Sequence, residues 1–159
     1  MVMAALNDNY TKGCERVDRT LFSKWNEKTG SFSKTGDTGV GGAYDVSGVT
    51  KDGRTCMIEL KLRGCTHDKY DSDMIEADKM ADGWMYERFS GLTPLYICFY
   101  ADGWTGIYNL STIHAPKKEK TRRVNPGMGG KVVESAVYYL SKDDGVFYDD
   151  GGRLHKGGV

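Results

Sequence analysis

No stretch of the 159 residues is apolar for long enough to span a bilayer, and residues 1–8 lack the basic start and long apolar run of a secretory leader. A soluble, cytoplasmic protein with no membrane partner is therefore expected. Excess charge of either sign is also missing, since 22 Lys and Arg balance 22 Asp and Glu, and this excludes whole-chain electrostatic attraction to a polyanion. Such a partner would have to be met by a local basic surface. Cysteine is sparse: Cys14, Cys56, Cys65 and Cys98 are too widely spread for a zinc spacing or a disulfide framework, and they read as reduced thiols. The three histidines, His67, His114 and His155, fall in loops or the tail without ligand spacing and are assigned no metal. Internal repeats are not visible.

The length suits one domain with a core that needs no disulfide or metal staple, taken as residues 1–150 with 151–159 as a disordered tail. Residues 10–28 place Cys14, Val17, Leu21 and Trp25 at helical spacing, ahead of Gly30 as a stop. Residues 30–42 hold five glycines among Ser, Thr and Lys, which reads as a mobile loop. Asp73 and Glu76 resemble a capping box for a helix over about 73–90, whose apolar side carries Ala77, Met80, Ala81, Trp84 and Met85. Residues 94–100 are continuously apolar and aromatic, as in a central strand buried on both faces, and 104–110 return as its neighbour. A basic loop follows at 111–125, with Lys117, Lys118, Lys120, Arg122 and Arg123 around Glu119, and 131–149 supply one or two more strands. These elements give an α/β (α+β) class: a central mixed sheet flanked by helices, in the order α-β-β-β-α-β.

The most informative segment is a hairpin. Residues 42–50 and 54–62 read as two strands joined by Lys51-Asp52-Gly53. In the second strand Cys56, Ile58, Leu60 and Leu62 share one face, while Met57, Glu59 and Lys61 share the other. A three-residue loop with Gly53 in the left-handed position pairs residues whose numbers sum to 104, placing Asp45 directly opposite Glu59. Opposed like charges destabilise a sheet, and a divalent cation such as Mg²⁺ would offset the repulsion. The bland alternative is a solvated edge strand, with Asp45 paired to a nearby lysine.

Asp45 followed by Glu59-Leu60-Lys61 resembles the PD-(D/E)xK nuclease superfamily, the restriction-endonuclease-like and Holliday-junction-resolvase-like proteins, whose core motif is an Asp on one strand and Glu-x-Lys on the next. The order of elements over about residues 10–110 fits as well, with Tyr44 standing where the family's name has Pro. The resemblance implies a restriction-endonuclease-like core and a Mg²⁺- or Mn²⁺-dependent endonuclease that hydrolyses DNA phosphodiester bonds, acting on junctions or as a phage or repair nuclease. It implies metal binding by Asp45, Glu59 and the Leu60 carbonyl, and by Glu15, the acid that family members often carry on the first helix. Glu15 reads equally as a surface glutamate. Two jobs suit Lys61, orienting or deprotonating water and offsetting transition-state charge. Lys79 resembles a basic residue that faces the site from the second helix, or it pairs with Glu76 or Asp82 on its own helix. Asp37 and Ser47 are weaker candidates. Family members that cut two strands are often dimers, so a homodimer is expected. Against the enzyme stand a catalytically silent nucleic-acid-binding module of the same fold and a purely structural protein.

Overall fold

In the computed structural model, residues 17–38, 44–113, 116–125 and 129–155 are described. Helix α1 covers residues 17–29 and buries Asp18, Phe22 and Trp25. Val17, expected on this stripe, is 51% exposed, because the buried side of the helix runs one residue further along the chain. Cys14 and Glu15 lie outside the described residues.

Residues 30–42 are not all loop, as strand β1 (Phe32–Asp37) pairs antiparallel with β2 (Val46–Thr50). The strand escapes a pattern search because it is the sheet's edge, with only Phe32 buried and the other positions facing solvent. The Asn26 side chain starts it, donating to the Phe32 carbonyl (3.1 Å) and accepting from the Phe32 N–H (2.8 Å). The Phe32 ring then lies where a β-carbon on Gly48 would be, at 2.6 Å.

Strand β3 (Thr55–Arg63) pairs with β2 in a register that sums to 104 from Val46↔Ile58 to Val49↔Thr55. The turn is the three-residue loop expected: Thr50 N–H donates to Arg54 O, Gly53 N–H donates to Thr50 O, and Gly53 sits at φ +86°. After β3 come β4 (Ser72–Glu76) and helix α2 (Ala77–Ser90). The crossover through α2 returns β5 (Thr93–Tyr100) parallel to β3, and β6 (Thr105–Asn109) pairs antiparallel with β5. With β9 (Gly145–Tyr148) and β10 (Leu154–His155) the main sheet runs β1-β2-β3-β5-β6-β9-β10. This is the central mixed sheet flanked by helices that the sequence implied, with β5 in its middle.

The sheet carries a core on each face. On one side Ile58, Leu60, Ile97 and Phe99 pack with Phe22, Trp25 and Phe32. On the other, Tyr96, Cys98 and Tyr100 pack with Ile75, Met80 and Tyr108. The central strand β5 therefore serves both cores. Such burial is worth roughly 1.5–3 kcal/mol per large apolar side chain.

A second, three-stranded sheet, in which β4 is joined by β8 (Lys131–Ser141) and then β7 (Lys117–Asn125), corrects two expectations. Asp73 and Glu76 do not box the helix, since Asp73 is buried mid-strand in β4 and α2 begins only at Ala77. Asp73 accepts from the hydroxyls of Tyr100 and Tyr108, and Lys142 Nζ lies 3.2 Å from it. Its acid-plus-helix signature was thus a buried charge followed by a helix. Residues 117–125 are likewise a strand, β7 (Lys117–Asn125), in a hairpin with β8 (Lys131–Ser141). Of α2's expected apolar side Met80 is fully buried, whereas Met85 is 52% exposed. At the C-terminal end, residues 151–155 are part of the fold rather than a disordered tail, because Leu154–His155 pair with β9 and Lys28 Nζ donates to Asp150 O. Residues 156–159 lie outside the described residues. No helix among the described residues is long and apolar enough to cross a membrane.

Candidate active site

The β2–β3 ladder stops one residue short of the expected carboxylate pair. Asp45 is a bend residue whose N–H donates to Ile58 O at 3.1 Å, offset by one from the register that holds through Val46. Asp45 is thus not ladder-paired with Glu59, which corrects the sequence geometry. Its side chain closes the gap instead, as Oδ2 accepts the Leu60 N–H at 2.8 Å. A carboxylate therefore takes a backbone donor that a neighbouring strand would otherwise satisfy. Because a residue's N–H and C=O leave the same edge of a strand, the Leu60 carbonyl also points toward the Asp45 side.

Glu59 stays close enough to Asp45 to feel its charge. Burial first, and the Asp45 carboxylate second, push the Glu59 carboxyl up to about 7, against the opposing pull of Lys79 and Lys61. Its side chain retains 21% exposure and meets Lys79 Nζ at 3.3 Å. Burial works to lower the Lys79 pKa, but the charges of Glu59, Asp45 and Glu76 outweigh it, and the ammonium stands above its ordinary value. Lys79 therefore faces the site from α2. It pairs with Glu59 on β3, and of the two acids expected beside it, Glu76 and Asp82, it also feels the charge of Glu76. Lys61 shares with Glu59, Arg63, Glu76, Lys79 and Tyr96 the lining of one shallow groove.

Arg19 on α1 is the member that sequence reasoning missed. Its Nε donates to Asp37 Oδ1 at 3.0 Å, and its Nη2 lies 3.4 Å from Asp45 O and 3.8 Å from Asp45 Oδ1. One guanidinium thus ties α1 to the two acids that end β1 and precede β2. The available signal was its place four residues after Glu15, the spacing of one helix face. Glu15 itself lies outside the described residues, and Ser47 points elsewhere, its hydroxyl lying 3.4 Å from Gly36 O. Tyr44 packs edge-on against Tyr86 of α2, centroids 6.0 Å apart, so the residue in the Pro position braces the helix that carries Lys79.

Volume does not mark this site. A larger concavity of about 620 Å³ lies among His67, Tyr70, Trp104, Lys142 and Phe147. There His67 Nδ1 meets Asp102 Oδ2 at 2.7 Å and the imidazole stacks on Trp104 at 3.7 Å; with Asp68, the ligand atoms of this trio lie within 4.8 Å of one another. Residues 35 apart supply the contact, which no local spacing could reveal. The groove beside Glu59 is instead marked by charge, since Glu59 and Lys79 line it and the Asp45 carboxylate acts on Glu59.

The donor set beside Asp45 fits a hard divalent cation: two carboxylates in each other's field, one of them held part-protonated by burial and that field, and a main-chain carbonyl on the same side. Neither the protein-family models nor the curated proteins contain a match to this chain. Among solved structures, a 1.6 Å structure of Hjc, a Holliday junction resolvase from the archaeal hyperthermophile Archaeoglobus fulgidus, is similar at 11% identity and a TM-score of 0.51. The likeness covers 82% of this chain and 84% of that one. Strand order, the α2 crossover and this similarity together give the chain a restriction-endonuclease-like α+β fold, similar to that of this resolvase.

Proposed function

We propose that this protein is a divalent-metal-dependent endonuclease that hydrolyses phosphodiester bonds of branched DNA. The observation that carries the reading is the field between Asp45 and Glu59, which helps lift the buried Glu59 to about 7 with Lys61 and Lys79 beside it. Asp45, Glu59 and the Leu60 carbonyl would hold Mg²⁺ or Mn²⁺, with Glu15 as a further ligand. When bound, the cation polarises the scissile phosphate and lowers the pKa of water. Lys61 then orients the attacking water or offsets charge on the phosphate oxygens, while Lys79 neutralises Glu59 between turnovers. The similar resolvase fold supports a junction substrate, and cleavage of two strands would call for a homodimer. Repair or phage recombination inside the cell is the setting we assign.

The test is cleavage of supercoiled plasmid and of a synthetic four-way junction with Mg²⁺ or Mn²⁺. Wild type cuts, while Glu59→Ala keeps the fold and loses cleavage. Calorimetry that detects no divalent binding, with a panel of DNA and RNA substrates left intact, would remove the enzyme reading. Junction binding unchanged by loss of the acids, without cleavage by wild type, would establish the silent binding module instead.

A further inference from the structure

The β7–β8 hairpin is longer than the sheet that holds it. Strand β8 pairs with β4 only from Val137 to Ser141, whereas it pairs with β7 from Lys131 to Tyr139. Residues 120–125 and 131–136 therefore form a two-stranded ribbon with no third strand among the described residues, roughly 20 Å long at the usual rise per residue. Charge is concentrated on this hairpin. Residues 117–141 contain six Lys and Arg against two Glu, so the rest of the chain holds sixteen against twenty. The neutral total conceals a hairpin of +4 on a body of −4.

Side chains of both ribbon strands face solvent. The Lys120 side chain is 79% exposed, Val132 is 64% exposed, and Lys131 and Glu134 are also exposed. Glu134 lies opposite Arg122 in register and 3.5 Å from Lys120 Nζ, so one acid moderates the basic strand. A basic two-stranded ribbon matches the major groove of B-form DNA, which is about 12 Å wide and flanked by phosphates.

We propose that the β7–β8 ribbon is a duplex-DNA arm that enters the major groove, with the basic residues of both its strands, Lys120 and Lys131 among them, meeting the flanking phosphates. The proposal rests on the nuclease reading for its choice of polymer. It is separable in test, because binding is measured in EDTA, where no cleavage occurs. The experiment compares wild type with a Lys120→Thr, Arg122→Thr, Arg123→Thr variant by fluorescence anisotropy on a 30-base-pair DNA duplex across a salt series. The variant should bind about tenfold more weakly or worse near physiological salt, and log K should fall less steeply with log salt, by about 0.9 for each phosphate that is no longer neutralised. Glu134→Gln should tighten binding, a gain that misfolding would not produce. Unchanged affinity and slope would overturn the proposal. So would an equal weakening on an RNA duplex, whose deep, narrow major groove excludes a ribbon. Wild type that binds DNA by this arm yet never cuts it would overturn the nuclease reading alone.

Discussion

Lys79 Nζ of α2 and Glu59 Oε1 of β3 meet at 3.3 Å across the groove, joining the helix and the strand that flank the candidate site. The pair sets the protonation of Glu59 together with Asp45, and the two neighbours act in opposite directions: Asp45 raises the Glu59 pKa and Lys79 lowers it. Lys79→Met should therefore move Glu59 above 7, and Asp45→Asn should bring it back toward the ordinary carboxylate range. Carboxyl carbon NMR titration of the metal-free protein reads both shifts. Shifts of the same sign in the two variants would refute this account.

Glu59 also makes stability depend on pH. Its ordinary pKa is 4.5 and its native one about 7, so between those values the native state holds a proton that the unfolded chain has released. Stability thus falls as pH rises through this window, and the full loss is present above 7. Replacing the acid by Glu59→Gln should stabilise the metal-free protein by about 3 kcal/mol at pH 8 and by little at pH 4. Urea melts at the two pH values provide the comparison, and equal effects at both would exclude the mechanism.

Asp73 anchors the second sheet through four polar partners. Tyr108 donates to it at 2.6 Å, Tyr100 donates as well, and Lys142 Nζ and Arg63 Nε lie at 3.2 and 3.6 Å. Asp73→Ala would leave two cations without their buried counter-charge, at a cost of about 3–5 kcal/mol in chemical denaturation. Asp73→Asn, which keeps the acceptor oxygen, should cost less. The larger loss should come with exposure of Tyr100 and Tyr108, visible as a change in near-ultraviolet circular dichroism.

The two hairpin glycines should respond differently to Ala. Gly53 has φ +86° with open space around its β-carbon position, so Gly53→Ala costs only backbone strain, about 1 kcal/mol. At Gly48 a methyl group would meet the Phe32 ring at 2.6 Å, so Gly48→Ala forces the ring off α1, at about 1–3 kcal/mol. Thermal melts rank the two, and Gly53→Ala should leave cleavage intact.

What was legible in the sequence followed from local pattern. Gly53 fixed the turn and hence the 104 register, and period-two alternation put Glu59 and Lys61 on the face opposite Leu60. The hydrophobic run at 94–100 marked the central strand because burial on both faces leaves no polar position to alternate. Hidden elements broke those same rules. β1 is an edge strand with one buried residue, and β4 carries a buried acid whose partners lie far along the chain, 27 residues away at Tyr100 and 35 at Tyr108, with Lys142 beyond them. Asp45 was placed on the correct segment with the wrong geometry, since nothing local records that the ladder ends at Val46 and a side chain takes over. Arg19 shows its role only once α1 is docked.

The two-faced burial of β5 and the early end of the β2–β3 ladder set up a gradient of local opening. Amides of residues 96–99 lie between two cores and two paired strands, so their hydrogens should exchange with solvent only through global unfolding. The Leu60 amide, held by a single side-chain acceptor, should exchange through a smaller local opening. A rigid keel then sits one strand away from a more easily opened edge, with the Asp45 carboxylate at the boundary between the two.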